Sequence, residues 1–261
     1  MNTDTQDRFI QTLTASLIDV PPSRRKTREW LFASEPDDRS ARLDALAGRS
    51  RAEKRKLLDR LKERAAPINL KVIPVETCLE AGQAIAQLVR DKSPEWGTTK
   101  QVVAWDHPLI RQLNLDAALS EQPAPLVYTP QEGTRAPSAE QRQSLRQEVI
   151  KSFIGITSAD YCVVESATLA MKTRPSQPRS VSLVPAIHVA VIELDQLVEN
   201  LGELYFRLQW DPKEQAEGLT NCLTFISGPS KTGDIELVMV HGAHGPRELH
   251  LYVITGPMDA S

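Results

Sequence analysis

Apolar and polar residues follow two different periods along the chain from Leu70 onward. Short apolar runs bounded by Pro, Gly or polar residues predict strands, whereas apolar positions three or four residues apart predict helices. Pro74 lies inside the first run and has no backbone N–H, so it should mark either the end of that strand or a sheet edge. The strand-like runs are LKVIPVE, KQVVAWD, PLVYT, FIGIT, YCVVES, TLAMKT, HVAVIEL, LTFIS and LHLYVI.

Helical segments interleave with these runs, and two of them begin at capping boxes. Thr77 and Glu80 have the T-x-x-E spacing, and Ser138 and Gln141 have the equivalent spacing before a helix that runs to Lys151. Interleaved strands and helices predict a layered α/β domain with a largely parallel sheet. One further helix has the strongest period, with apolar residues at Leu194, Leu197, Val198, Leu201, Leu204, Tyr205 and Leu208.

A locally basic, helical arm is predicted over residues 1–66, ahead of an α/β domain at 67–261. The sequence RAEKRKLLDRLKER places three leucines on a narrow stripe, which indicates a weakly amphipathic helix. The arm also contains Trp30 and Phe32 beside RRKTR. Three interpretations stay open: a solvated arm laid over the core, a docking arm with Trp30 and Phe32 as anchors for an acidic partner, or a polyanion-binding arm.

Composition narrows the class of protein. The 261 residues are 41% hydrophobic and 25% charged, which is ordinary for a globular chain, and the net charge of −3 gives no nucleic-acid footprint. We expect no membrane span and, because MNTDTQDR lacks a signal-peptide pattern, a cytoplasmic location. The three cysteines, Cys78, Cys162 and Cys222, are isolated, which argues against a disulfide framework, a zinc site or an iron–sulfur cluster held by this chain alone. We expect no cofactor on this chain.

The stretch FISGPSKTGDIELVMVHGAHGP near the C-terminus contains the most distinctive chemistry. We expect a strand that ends at Ser227, a Gly-Pro-Ser turn, and a short helix that begins at Thr232 or Gly233. Backbone N–H groups at such a helix start bind anions, and they should face a pocket at the carboxyl ends of the strands. The candidate anion-binding residues are Gly228, Pro229, Ser230, Thr232, Asp234, Glu236, His241, Gly242, His244 and Gly245, together with Arg179 and His188.

A purely structural interpretation of the same stretch stays open. Ser230 or Thr232 would then cap the helix, and Asp234 and Glu236 would favour its positive end. The pair His241 and His244 lacks an obvious carboxylate ligand, so a metal is not expected there. The histidines and Arg179 could instead donate hydrogen bonds to a carboxylate or phosphate, although Arg179 could equally be a surface arginine.

The string SGPSKTGDIE followed by HGAHGP resembles the LUD-domain family of lactate-utilisation protein C. Upstream, FIGITSADYCVVES and SLVPAIHVAVI resemble further blocks of that family, so the resemblance runs from about Phe153 to Ile254. It implies a fold related to the ribose-phosphate isomerase and CoA-transferase group. It also implies a role in oxidising L-lactate to pyruvate beside partner proteins that carry iron–sulfur clusters.

One departure from the family pattern concerns Glu165. The family has Glu-Thr-Gly-Thr where this chain has Glu165-Ser166-Ala167-Thr168, and related CoA transferases use such a glutamate as a nucleophile. Partial burial after an apolar strand would suit Glu165 to that role. Ala167, however, lacks the access to positive φ that glycine has, so a carboxylate hydrogen-bonded to a neighbouring loop is the competing interpretation.

Two functional hypotheses therefore remain. The first is an accessory subunit of a lactate-oxidising assembly, which is favoured by the arm with Trp30 and Phe32. The second is an independent small-molecule enzyme or anion-binding protein of the CoA-transferase, isomerase or 5-formyltetrahydrofolate cyclo-ligase-like fold group.

Overall fold

The computed structural model describes residues 35–94, 97–130, 138–218, 220, 222–233, 239–241 and 244–257. Contacts divide the chain into two units, Met1–Gly48 and Arg49–Ser261. The first unit contributes one described helix, α1 (Arg39–Ala47). The proposed docking residues Trp30 and Phe32 lie outside the described residues, so their role stays a prediction.

The second unit contains all the other described elements. None of the described helices has both the length and the apolar character that crossing a membrane requires. Its helices are α2 (Arg51–Ala65), α3 (Cys78–Asp91), α4 (Pro108–Gln112), α5 (Leu115–Ala118), α6 (Ala139–Lys151), α7 (Ser180–Leu183), α8 (Leu201–Trp210) and α9 (Pro212–Glu217). Its strands are β1 (Leu70–Val75), β2 (Val102–Ala104), β3 (Leu126–Tyr128), β4 (Ile154–Ser158), β5 (Tyr161–Val163), β6 (Thr168–Lys172), β7 (Ile187–Glu193), β8 (Leu197–Val198), β9 (Leu223–Ile226), β10 (Lys231–Gly233), β11 (Met239–His241) and β12 (Glu248–Ile254).

Six strands form one sheet in the order β1-β12-β7-β4-β2-β3, and every pairing in it is parallel. The predicted layered α/β fold with a mostly parallel sheet is therefore confirmed. Pro74 lies on β1, which is an edge strand, as its missing N–H predicts.

Four shorter strands form a second sheet in the order β8-β5-β6-β9. Its β5–β8 pairing is parallel, whereas β5–β6 and β6–β9 are antiparallel. The strands β10 and β11 form a separate antiparallel pair.

The parallel sheet is buried on both faces, because successive side chains of a strand point to opposite sides. On β7, Ala190 and Ile192 belong to a core cluster that includes leucines of α2 and apolar residues of the second sheet. Val189 and Val191 belong to a second cluster with Ile85 of α3 and residues of α4. This burial explains why the strand sequences are almost continuously apolar.

Capping interactions fix where the predicted helices begin. Ser138 and Gln141 form the complete reciprocal capping box at the start of α6. At α3, the Thr77 side chain accepts from the Glu80 backbone N–H, but Glu80 accepts from the backbone N–H of Glu76 instead of Thr77. One half of the predicted capping box is therefore formed, and the Glu80 carboxylate binds one residue further upstream.

The helix predicted from Leu194 is wrong over its first half. Leu194–Gln196 is a 3₁₀ turn, β8 follows, and α8 begins only at Leu201, where the Asn200 side chain accepts from the backbone N–H of Glu203. Leu197 and Val198 are buried as strand residues beside β5. A short apolar run fits both periods, and pairing with β5 decides between them.

The helix α2 is part of the compact unit that begins at Arg49. Leu57, Leu58 and Leu61 are buried in the same core cluster as β6 and β7, and Leu61 is 0% exposed. Its start has a reciprocal capping box between Ser50 and Glu53. The predicted division of the chain at residues 66 and 67 stays a prediction, and α2 would fall on its N-terminal side.

Candidate functional site

The Gly-Pro-Ser turn after β9 is packed tightly against the segment that leads into β1. Gly228 has φ +75°, and a Cβ atom on it would lie 2.7 Å from the carbonyl oxygen of Ile68. Glycine is required here both for the left-handed backbone and for the close approach. Gly228 and Pro229 are both buried.

The turn also meets the second half of the motif, HGP. The backbone N–H of Ser230 donates to the carbonyl oxygen of Pro246 at 2.8 Å. A Cβ atom on Gly245 would lie 3.3 Å from the Cβ of Ser230 and 3.9 Å from the carbonyl oxygen of Leu183. The structure therefore brings Gly228, Ser230 and Gly245 together, but the Ser230 amide that was expected to face a pocket already has a protein partner.

The expected helix after this turn is contradicted at its start and at its end, whereas residues 234–238 lie outside the described residues. Lys231–Gly233 is a strand, β10, that pairs antiparallel with β11, with Thr232 opposite Val240 and Lys231 opposite His241. Residues at both ends of the predicted helix are thus extended. Their backbone N–H and C=O groups form hydrogen bonds between β10 and β11 instead of within a helix. Without a helix start at Thr232, the helix-dipole argument for an anion is lost. Asp234, Glu236 and Gly242 lie outside the described residues.

The position of the turn within the sheet also differs from the expectation. Its neighbours Ile68, Pro246 and Leu183 precede β1, β12 and β7, so it lies at the amino ends of these parallel strands. The carboxyl ends, where open α/β sheets bind ligands, are at the opposite edge. The mistake arises because β9 belongs to the second sheet and runs antiparallel to its neighbour β6.

His188 lies on β7 between β12 and β4 and is 1% exposed. Its Nε2 is 2.8 Å from the Thr157 hydroxyl, whereas its Nδ1 has no hydrogen-bond partner among the described residues. Burial lowers the pKa of His188 to about 3, so the ring is neutral at ordinary pH. His188 is therefore a buried core residue, whereas His244 is exposed.

Arg179 lies away from the Gly-Pro-Ser turn. Its guanidinium Nη1 donates to the Cys222 sulfur at 3.3 Å, just before β9 begins, whereas Gly228 follows the other end of that strand. The guanidinium therefore contacts the start of β9, and the structure does not bring it together with Gly228.

Glu165 is exposed, and its backbone N–H donates to the carbonyl oxygen of Glu199 at 3.0 Å. The partial burial on which the nucleophile hypothesis depended is absent at this residue. Ala167, in the position where the family has glycine, adopts φ +48° and is fully buried. The backbone thus keeps the left-handed geometry of a glycine turn even though the residue is alanine.

A cluster of hydroxyl groups connects the Glu165 turn to the Gly-Pro-Ser turn. The Thr168 hydroxyl is 2.8 Å from the Ser166 hydroxyl and 2.6 Å from the Ser227 hydroxyl. Because β6 and β9 are paired, the residues that flank this pairing meet at one end of the second sheet. Two motif segments separated by about sixty residues of sequence are therefore adjacent, and sequence spacing alone could not show it.

The carboxyl ends of β2, β3 and β4 carry a polar layer that was not predicted. The backbone N–H of Asp106 donates to the Thr129 hydroxyl at 2.8 Å, and Asp160 pairs with Arg174 at 2.6 Å. His107 lies close by, where its Nδ1 accepts from the backbone N–H of Leu109 at 3.2 Å. Burial lowers the pKa of His107, an effect that Asp160 opposes and Arg174 reinforces.

A sequence signal for this polar layer existed. Asp106 and His107 follow one apolar strand almost directly, and Asp160 closely follows another, which is the arrangement expected where a parallel sheet presents polar groups. A buried ion network continues from Asp160: Lys172 is 3% exposed and contacts Glu214 at 2.7 Å and also Glu217. This network fixes α9 to β6.

Among the described residues, no group of three or more His, Cys, Asp or Glu side chains could hold a metal ion. Cys162 is fully buried, and burial raises the pKa of its thiol to about 12. Cys78 and Cys222 lie on other elements, at the start of α3 and before β9. Whether the chain has a cofactor stays a prediction.

These motifs and this fold define a LUD-domain protein. The chain belongs to that family: residues 58–254 match the LUD domain. It is similar to the lactate utilization protein C of Halalkalibacterium halodurans, with 32% identity over 164 residues that cover 63% of this chain and 64% of that protein. It is also similar to the lactate utilization protein C of Shouchella clausii, with 30% identity over 196 residues, or 75% and 77% of the two chains.

A further relative is the uncharacterized protein YkgG of Escherichia coli, with 30% identity over 154 residues that cover 58% of this chain and 61% of that protein. Among solved structures, a DUF162 family protein from Deinococcus radiodurans matches with a TM-score of 0.50 and 20% identity, covering 79% of this chain and 99% of the other. That likeness supports the fold. The narrower grouping with ribose-phosphate isomerases and CoA transferases stays a prediction.

Proposed function

We propose that this chain is a subunit of a lactate-utilisation system that oxidises L-lactate to pyruvate. The observation that carries the proposal is the alignment with the lactate utilization protein C of S. clausii, which spans three quarters of each chain at 30% identity. Residues 58–254, which match the LUD domain, include the parallel sheet and both turns joined by the hydroxyl cluster, so the likeness to that family extends to the structural centre of the domain.

We further propose that iron–sulfur clusters on partner proteins carry the electrons from lactate. Clusters are held by sets of cysteine thiolates, commonly four. The three cysteines of this chain lie on separate elements, and Cys162 is enclosed in the core with a raised pKa. This distribution supports a division of labour in which this chain binds, positions or regulates while its partners transfer electrons.

Deletion of the gene in its own host tests the subunit hypothesis. We expect the deleted strain to lose growth on L-lactate as sole carbon source, to keep growth on glucose, and to recover when the wild-type gene is returned. The tagged native chain should also co-purify with iron-containing proteins from lactate-grown cells. Unchanged growth of the deleted strain on lactate would overturn the proposal.

A variant of Glu165 distinguishes a subunit from an independent enzyme. Because Glu165 is exposed and its backbone N–H already binds Glu199, we expect Glu165→Gln to restore growth on lactate as well as the wild type does. Failure of this variant at a normal protein level would instead favour the alternative hypothesis, in which the chain performs covalent chemistry with this carboxylate.

A further inference from the structure

A cleft of about 410 Å³ lies at the carboxyl ends of β7 and β12, at the opposite edge of the parallel sheet from the Gly-Pro-Ser turn. Its walls come from the first turn of α2, the end of β7 and the end of β12. Neighbouring carboxyl ends of parallel strands are where open α/β sheets bind small ligands. The cleft therefore lies where sheets of this kind bind ligands, although no sequence motif indicated it.

Two cations line one wall of this cleft. Arg51 and Lys54 are three residues apart on α2 and so lie on one face of the helix. One guanidinium N–H of Arg51 donates to the carbonyl oxygen of Thr255, which holds the side chain at the end of β12. A guanidinium has five N–H donors, so this anchored arginine can still bind a carboxylate.

The acidic partners of these cations, Asp195 and Glu76, are exposed. Lys54 pairs with Asp195 at 2.7 Å, but the Asp195 side chain is 74% exposed. Arg51 is 3.7 Å from Glu76, which is too long for a hydrogen bond. Exposed pairs of this kind are weak, so a ligand carboxylate can compete for either cation.

The opposite wall is acidic, and this limits the class of ligand. Glu193 is the last residue of β7, and one function of its carboxylate is to accept the backbone N–H of Gln196. Together with Asp195, Glu193 would repel a dianion such as phosphate. A hydroxyl group, in contrast, could donate to the second oxygen of Glu193.

We propose that this cleft binds a small 2-hydroxycarboxylate, with its carboxylate on Arg51 and Lys54 and its hydroxyl on Glu193. The choice of lactate among such ligands rests on the function proposed above. Arg51, Lys54 and Thr255 lie outside residues 58–254, so the cations belong to a part of the chain beyond the region that matches the LUD domain.

Titration of the purified full chain with L-lactate, followed by NMR or calorimetry, tests the site. We expect saturable binding, similar binding of glycolate, and binding of propionate that is weaker by at least about fivefold, because propionate lacks the hydroxyl group. Phosphate should bind more weakly than lactate. Absence of saturation below about 100 mM lactate, or tighter binding of phosphate, would overturn the proposal.

Matched variants on α2 locate the binding. We expect Arg51→Gln, and separately the double variant Lys54→Gln/Asp195→Asn, to weaken lactate binding by about tenfold or more. The control is Arg60→Gln/Glu199→Gln, which removes an exposed pair of the same 2.7 Å length from the same helix and should leave binding unchanged. Equal effects of the two double variants would contradict the site. If Arg51→Gln unfolds, Arg51→Lys keeps the charge without the planar donors and should still weaken binding.

The result separates the ligand site from the proposed function. If the wild-type gene restores growth on lactate while the purified chain binds no lactate, the cleft proposal fails and the subunit function stands. If the chain binds lactate through Arg51 but deletion leaves growth on lactate unchanged, the site stands and the function proposed above fails.

Discussion

Two glycines with nearly the same backbone conformation have very different surroundings in this protein, and the sequence does not distinguish them. Gly228 combines a left-handed φ with a close approach to Ile68, whereas Gly97 has nearly the same φ, +74°, and no atom of the described residues within 4 Å of the position that a Cβ would take. Substitutions at these two glycines therefore distinguish the free-energy cost of a left-handed backbone from the additional cost of a steric contact.

We expect Gly228→Ala to lower the free energy of unfolding by more than about 2 kcal/mol, because the new Cβ would strike the Ile68 carbonyl and force the turn away from β1. Gly97→Ala should cost about 1 kcal/mol, which is the conformational term alone. Urea unfolding of both variants measures the difference. Equal losses would show that the turn yields easily at Ile68.

His188 gives a prediction about acid stability. Its pKa in the folded chain, about 3, lies below the value of about 6.5 in an unfolded chain, so between these pH values the unfolded state binds the extra proton. Stability should therefore fall as the pH decreases from about 6.5 towards 3, with a slope of up to about 1.4 kcal/mol per pH unit from this residue.

The variant His188→Gln isolates this contribution. Its free energy of unfolding should be lower than that of the wild type at pH 7, and the difference should shrink as the pH decreases through this window. The other histidines are present in both proteins, so their contribution cancels in the difference between the two free energies of unfolding. A difference that stays constant between pH 7 and pH 4 would contradict a buried neutral imidazole.

At the scale of elements, the residues that join α2 to the rest of the unit differ sharply in burial. Arg49 donates two hydrogen bonds to Glu203 of α8, at 2.7 and 2.8 Å, and the two side chains are 17% and 7% exposed. Arg60 and Glu199 pair at the same distance but are nearly half exposed. The two pairs form a natural comparison on one side of the molecule.

We expect Arg49→Ala to lower the free energy of unfolding by about 2–3 kcal/mol, because Glu203 stays buried and, among the described residues, keeps Arg207 and the Glu199 N–H to compensate its charge. Arg60→Ala should cost less than about 1 kcal/mol. Thermal or urea unfolding of the two variants provides the test. A larger effect at Arg60 would show that burial does not decide the strength of these pairs.

Elements with a strong local signal were predictable, whereas those decided by pairing partners were not. Ser138 and Gln141 predict the start of α6, because a capping box depends on residues that lie within four positions of each other. Leu197 and Val198 fit a helical period, but they form the strand β8, which pairs with β5. Thr232 lies in the middle of β10, opposite Val240 of β11, and nothing in the sequence next to Thr232 encodes that partner.

The candidate site follows the same rule. The meeting of the Ser230 and Gly245 segments was predictable because a short motif contains both. The approach of Thr168 to Ser227 depends on the pairing of β6 with β9, and the approach of Arg51 to Thr255 joins residues at opposite ends of the domain. Such contacts arise from topology, which one sequence does not reveal.

At the scale of the whole molecule, the boundary of the folding unit is testable by truncation. A chain that begins at Arg49 keeps α2 and also keeps the ion pair between Arg49 and Glu203. It should therefore unfold cooperatively, with a midpoint temperature close to that of the full chain. A chain that begins at Pro67 loses Leu57, Leu58 and Leu61 from the core. Three buried leucines contribute roughly 5–9 kcal/mol, which is comparable to the total stability of a domain.

We therefore expect the chain 67–261 to lack a cooperative unfolding transition, and calorimetry of both truncated chains measures this. A sharp transition for residues 67–261, at a midpoint close to that of the full chain, would instead support the division at residues 66 and 67. It would also mean that α2 covers the core without being needed to form it.

The position of β12 in the sheet determines the order in which the strands can assemble during synthesis. β12 lies between β7 and β1, and among the described strands it is the one neighbour of β1. During synthesis, β1 therefore lacks this partner until all the elements between β1 and β12, and β12 itself, have been translated. Its unpaired apolar edge must meanwhile be protected from other chains, by collapse or by chaperones. β1 can therefore join the parallel sheet only after β12 has left the ribosome.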